Sequence, residues 1–154
     1  MKFIYNCSNG RYSSVIAASL HLGLIPINEI PDYEKILKLP LLGRSNDTEI
    51  GKLEYYGEDS RGNRVYILGR KKSEKIIVNA LKGIYQIFGQ NPDDLIFINT
   101  QRFSNIFIYL GGFLIEHLGL QYVGRSVLLF GIRRSYFKMC NLVERVKKMN
   151  GDKK

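Results

Sequence analysis

Phe3-Ile4-Tyr5-Asn6-Cys7, then Ser8-Asn9-Gly10-Arg11-Tyr12-Ser13-Ser14, then Val15-Ile16-Ala17-Ala18-Ser19-Leu20 read in turn as a strand, a polar turn and a helix. A helix that starts at two serines behind an Asn-Gly turn has backbone N–H groups with no partner in the helix, and its dipole points the positive end the same way. Such donors suit an anion. The expectation is therefore an anion-binding turn made of Ser8, Asn9, Gly10, Arg11, Tyr12, Ser13 and Ser14, with Cys7 beside it as a candidate nucleophile.

The same alternation continues down the chain. Gly23 ends the first helix as a glycine following Leu22. A connection marked by Pro26, Pro31 and Pro40 holds a short helical piece at 32–39, and Gly43 to Gly51 is a polar loop. Lys52-Leu53-Glu54-Tyr55-Tyr56 and Arg64-Val65-Tyr66-Ile67-Leu68 alternate as strands around Asp59-Ser60-Arg61-Gly62-Asn63, which predicts an antiparallel hairpin at a sheet edge. Ser73-Glu74 opens a helix whose Ile77, Ala80, Leu81, Ile84, Ile87 and Phe88 share one face before Gly89. Leu95-Ile96-Phe97-Ile98-Asn99 is a short apolar run typical of a strand buried on both faces.

A polar turn, Thr100 to Ser104, leads to a helix over 105–118 that is apolar nearly all round. Its interior Gly111-Gly112 predicts close packing against a sheet, and Gly119 stops it. Val127-Leu128-Leu129-Phe130 is expected as a further buried strand and Gly131 to Ser135 as a turn. Tyr136, Met139, Cys140 and Val143 then line the buried face of a last helix, and 151–154 form a disordered tail.

Strands alternating with helices give an α/β class: a three-layer, mostly parallel sheet of the Rossmann-like, doubly wound kind, plus the antiparallel hairpin. The 154 residues make one domain. Ligands of such sheets bind beyond the carboxyl ends of the strands. Three expected turns leave those ends, and each holds an arginine and a serine. Arg11, Arg102, Arg133 and Arg134 are thereby expected to converge on one crevice.

The formal charge of +9 is concentrated in residues 99–154, which hold ten basic and three acidic side chains. That balance fits an anionic ligand, an acidic protein or nucleic acid held by its phosphates, or simply a solvated helix face. With two widely spaced cysteines and no secretory leader, the expected location is the cytoplasm with reduced thiols. No run of about 18 uncharged apolar residues is present, so no membrane partner is expected.

With Tyr5-Asn6-Cys7, Gly10, Ser13-Ser14-Val15, His21-Leu22-Gly23, Gly62-Asn63, Val65-Tyr66, Leu68-Gly69-Arg70, Gly111-Gly112-Phe113 and Gly124-Arg125 ahead of Gly131, the chain resembles the bacterial domain of unknown function 3189 family over nearly its whole length. The resemblance implies a stand-alone small bacterial protein and supplies no reaction. Relatives with this pattern carry His at the positions of Tyr12 and Asn6. Any catalytic or metal-binding role of those histidines is missing here.

Candidate chemistry is sparse. Cys7 before a helix start resembles the low-molecular-weight tyrosine phosphatases and related arsenate reductases, where a thiolate is stabilised for attack on a phosphoryl group. Their pattern needs Arg six positions after Cys, where this chain has Ser13, and a half-buried thiol closing a strand is the plainer reading of Cys7. No Walker loop or Gly-x-Gly-x-x-Gly fingerprint occurs. Only His21 and His117 are present, so no metal is expected, and no cofactor is specified. Two functions follow. One is binding of a phosphorylated small molecule or nucleotide at the strand-end turns, with phosphoryl or related group transfer or hydrolysis open. The other is a non-enzymatic module that docks nucleic acid or an acidic protein on its basic last third. Oligomeric state is not encoded.

Overall fold

A computed structural model describes residues 1–43 and 51–151. The expected loop at 43–51 lies mostly outside the described residues, as does most of the tail. The fold is mixed α/β, with an open sheet of four strands, β1 (Lys2–Cys7), β2 (Leu53–Glu58), β3 (Arg64–Gly69) and β4 (Leu95–Asn99). The helices are α1 (Ser13–His21), α2 (Tyr33–Leu37), α3 (Glu74–Ile87), α4 (Ile106–Leu118) and α5 (Gln121–Gly151).

The strands lie in the order β2-β3-β1-β4, with β1 parallel to both its neighbours and β2 antiparallel to β3 at an edge. Central placement of β1 explains why Phe3 to Cys7 are all buried, since a strand covered on both faces has no solvent side. Its alternate residues serve two clusters. Phe3 and Tyr5 pack with Val15 and Ile16 of α1 and with Ile132, Tyr136 and Val143 of α5. Ile4 packs with Leu68 and Leu95, and Ile77, Leu81 and Tyr85 of α3 lean on them. The expected apolar face of α3 is thus only half used: Ile84, Ile87 and Phe88 are exposed. The buried strip beneath that helix, Ile4, Leu68 and Leu95, is too narrow for the whole face.

One expectation fails outright. Residues 127–130 are not a strand and 131–135 are not a turn; both lie inside the 31-residue helix α5. A four-residue apolar run carries no period that separates strand from helix, and Gly131 reads as punctuation in sequence. Its role is contact. A Cβ on Gly131 would stand 2.7 Å from Ile108 N, one on Gly124 would stand 3.0 Å from Gly111 O, and one on Gly111 would stand 2.5 Å from Leu128 N. Gly124 and Gly131 share a helix face two turns apart, so α4 and α5 approach backbone to backbone. The glycines of α4 therefore pack against α5 and the Tyr12 ring, not against the sheet. Asn105 fixes the start of this pair. Its Oδ1 accepts from Phe107 N and Ile108 N, and its Nδ2 donates to Gly131 O at 2.7 Å. Tyr136, Met139, Cys140 and Val143 are buried as expected.

Candidate functional site

Parallel pairing brings the carboxyl ends of β1, β3 and β4 to one edge, with Cys7 opposite Gly69 and Asn6 opposite Asn99. The turn after β1 is laid across the end of β3. Arg70 N–H donates to Cys7 O and Ser8 O at 3.1 Å, and Lys71 N–H donates to Ser8 O at 2.7 Å. Gly10, at φ +69, comes so close to Gly69 that a Cβ would meet Gly69 N at 2.8 Å. On the other flank, Thr100 N–H donates to Asn6 O at 2.8 Å and Gln101 Oε1 accepts from Ser8 N–H at 2.5 Å.

Cys7 is buried at the centre of this frame. Its sulfur accepts from Gly10 N–H at 3.2 Å, stands 3.3 Å from Ser14 Oγ and donates to Asn9 Oδ1 at 3.7 Å. Ser104 Oγ donates to Ser13 Oγ at 2.8 Å, and Thr100 Oγ1 lies 3.2 Å from the same oxygen. Ser13 and Ser14 are buried and their hydroxyls are held within the protein. The residue capping α1 is Tyr12, which makes no side-chain cap; its phenol donates instead to Glu116 Oε1 at 2.9 Å. Burial and Glu116 push the Tyr12 pKa up. The first-turn N–H groups of α1 thus have no side-chain cap from Tyr12, on the side where the dipole is positive.

The expected arginines each take a separate partner. Arg11 Nη1 lies 2.9 Å from Glu116 Oε1 on α4. Arg102 stacks over Phe103, Arg133 donates to Tyr33 Oη at 2.6 Å, and Arg134 lies over Phe107. With 131–135 helical, Arg133 and Arg134 are carried by α5 and not by a third turn.

A buried cation at this edge is Arg70, which the sequence offers only as part of the family pattern and not as a site residue. It is 7% exposed, its Nε donates to Asn6 Oδ1 at 2.6 Å, and its Nη2 lies 3.2 Å from Glu74 Oε2 in the first turn of α3. Asn6 is fully buried, and its Nδ2 is the one buried side-chain polar atom without a partner among the described residues. Tyr109 of α4 completes the surround. Burial raises its pKa and the nearby Cys7 adds to that, while Ser104 and Arg70 pull the other way. Leu68-Gly69-Arg70 held the signal, because it ends a buried strand just as Asn6-Cys7 does. Reading 64–68 as half of an edge hairpin hid it.

A cavity of about 360 Å3 lies away from this turn, and another, of about 380 Å3, is lined by Tyr12 and Glu116; neither is lined by Cys7. Among the described residues there is no group of three or more His, Cys, Asp or Glu that could hold a metal, and no helix is long and apolar enough to cross a membrane. A family model described as a protein of unknown function, DUF3189, matches residues 2–148. No curated protein and no solved structure matches the chain.

Proposed function

The chain belongs to the DUF3189 family, and we propose that it binds a phosphorylated small molecule or nucleotide at the turn between β1 and α1. The observation that carries this reading is the buried Arg70–Asn6 pair at the carboxyl end of the central strands, with an orphaned Asn6 amide beside it. A buried cation and an unpaired donor next to an N-terminus lacking a side-chain cap favour an oxyanion over a neutral ligand. The doubly wound, three-layer arrangement belongs to the same proposal. From β1 the sheet grows to β3 on one side and β4 on the other, and such a switch in direction is where open α/β sheets place ligands. If the bound ester reacts, the Cys7 sulfur would form the new S–P bond as the ester P–O bond breaks, the thiol proton going to the departing alcohol oxygen.

The test is a melting-temperature panel of phosphate, sulfate, sugar phosphates and nucleotides against wild type and Arg70→Met. A ligand at about a hundred times its Kd adds roughly 2.7 kcal/mol, several degrees for a domain of this size. A shift for one class that Arg70→Met abolishes supports the site. No shift with any of them, or a shift that survives in the variant, overturns it.

A second reading rests on α5, where Phe130, Arg134, Phe137, Lys138, Arg145 and Lys148 are all exposed on one helix. Aromatic and basic side chains interleaved this way suit nucleic-acid phosphates and bases. Binding of single-stranded DNA that weakens steeply between low and moderate salt would favour it, and salt-insensitive or absent binding would remove it.

A further inference from the structure

We infer that the cavity at the opposite end of the sheet from Cys7 is a second ligand site, one that takes a small organic monocarboxylate with an apolar body. The cavity is about 360 Å3, in the range of small-molecule pockets, and is walled by Phe3, Leu22, His21, Asp59, Arg61 and Lys147. Its charge arithmetic selects the ligand. Arg61 and Lys147 supply two positive charges and Asp59 one negative, while burial holds His21 toward its neutral form. One compensating negative charge is wanted, and a dianion would add repulsion from Asp59.

Asp59 itself has no capacity left for a ligand. Its Oδ1 accepts from Arg61 N and Asn63 N at 2.9 Å and from Asn63 Nδ2 at 3.2 Å; its Oδ2 accepts from Asn63 Nδ2 at 3.0 Å and lies 3.2 Å from His21 Nε2. A carboxylate offers about four acceptor positions, so a cationic ligand would find this one already occupied. The Arg61 guanidinium and the Lys147 ammonium, by contrast, make no ion pair among the described residues. Burial holds the Lys147 ammonium below its usual range; Asp59 opposes this and Arg61 adds to it. An anion between the two cations relieves that strain. Phe3 and Leu22 then cover an apolar body. Leu22 is held in place by Gly57, where a Cβ would meet its Cδ1 at 2.6 Å.

The probes are benzoate and butyrate, with benzylamine and inorganic phosphate as controls, titrated into the full chain by calorimetry at low salt. Benzoate should saturate by about 10 mM, as a ligand of about millimolar Kd does, with benzylamine silent and any phosphate binding unaffected by Arg61→Ala. Lys147→Met and Arg61→Ala should each weaken benzoate roughly tenfold, the loss of one charge-assisted contact. Arg61 sits in an exposed turn, so its variant stays informative if Lys147→Met fails to fold. Neither variant should alter the response to phosphate esters at the Cys7 turn, so the two sites fail or succeed separately. No saturable binding by either carboxylate, equal binding of benzylamine, phosphate binding as tight as that of benzoate that Arg61→Ala weakens, or benzoate binding that survives both substitutions would overturn the assignment.

Discussion

Tyr5 Oη lies 2.7 Å from His21 Nδ1 inside the core, and the opposite ring nitrogen faces the Asp59 carboxylate at 3.2 Å. Since Asp59 can only accept, Nε2 carries the proton and Tyr5 donates to Nδ1 in the neutral ring. Burial is the main force lowering the His21 pKa; Asp59 opposes it and Lys147 adds to it. Burial would raise Asp59, but hydrogen bonds from Asn63, His21 and Arg61 N–H outweigh it and hold the carboxyl at about 2. Both folded-state pKa values are depressed, so both contributions are present at neutral pH and are lost on acidification. The unfolded chain takes up the His21 proton below about pH 6.5 and the Asp59 proton below about pH 4, while the fold resists both. Urea midpoints should fall between about pH 7 and pH 5, and His21→Gln should flatten that segment while leaving the steeper fall toward pH 2. A flat wild-type profile between pH 7 and 5 would contradict the buried neutral ring.

Arg11 and Glu116 tie the β1–α1 turn to α4, with side chains only 14% and 21% exposed. Glu116→Ala removes the acceptor of both the Arg11 guanidinium and the Tyr12 phenol. A cost of about 1–3 kcal/mol is expected from chemical denaturation. A double-mutant cycle with Arg11→Ala should return a coupling of about 1 kcal/mol, and a coupling near zero would mean the pair is solvated.

The glycines of the α4–α5 pair should respond to a methyl group in opposite ways from the one on α3. Gly111→Ala and Gly131→Ala push a Cβ into backbone atoms at 2.5 and 2.7 Å and should each cost about 1–3 kcal/mol, more than their gain in helix propensity. Gly83→Ala meets nothing within 4 Å and should add about 0.5–1 kcal/mol. Thermal melts of the three variants compare them directly; a stabilised Gly111→Ala would mean the helices stand further apart.

Thiol chemistry separates the two cysteines. Burial, with Glu144 beside it, pushes the Cys140 pKa up to about 11, so that thiol stays inert near neutral pH. If Cys7 acts as a nucleophile, iodoacetamide at about pH 8 should label the folded protein once, at Cys7, with Cys140 labelled only after denaturation. Peptide mapping reads the outcome, and an unlabelled folded protein would remove Cys7 from any transfer reaction.

The parts of the fold that could be read from sequence are those set by neighbours in the chain. Phe3 to Leu20 declared strand, turn and helix; the hairpin around Asp59 to Asn63 and the glycine stops at Gly23, Gly89 and Gly119 were equally local, and all three glycines adopt positive φ. What escaped depended on residues far apart. Val127 to Phe130 has the same composition in a buried strand or a helix, and only α4 across the interface, with glycines cleared on both sides, decides for helix. Arg11 looked like a free cation because Glu116 is remote in sequence. Arg70 looked incidental because the strand order that puts β3 beside β1 is not a local property.

That strand order also sets a schedule for making the protein. β1 emerges first, yet its register needs Arg64 to Gly69 on one side and Leu95 to Asn99 on the other. A nascent chain therefore holds an apolar, β-prone segment without both of its neighbours until Asn99 has been synthesised. Its cover from Ile132 to Val143 arrives later still. Folding should be slow for a chain of this length, as non-local parallel pairing requires, and its most exposed intermediate is one whose central strand has no neighbours.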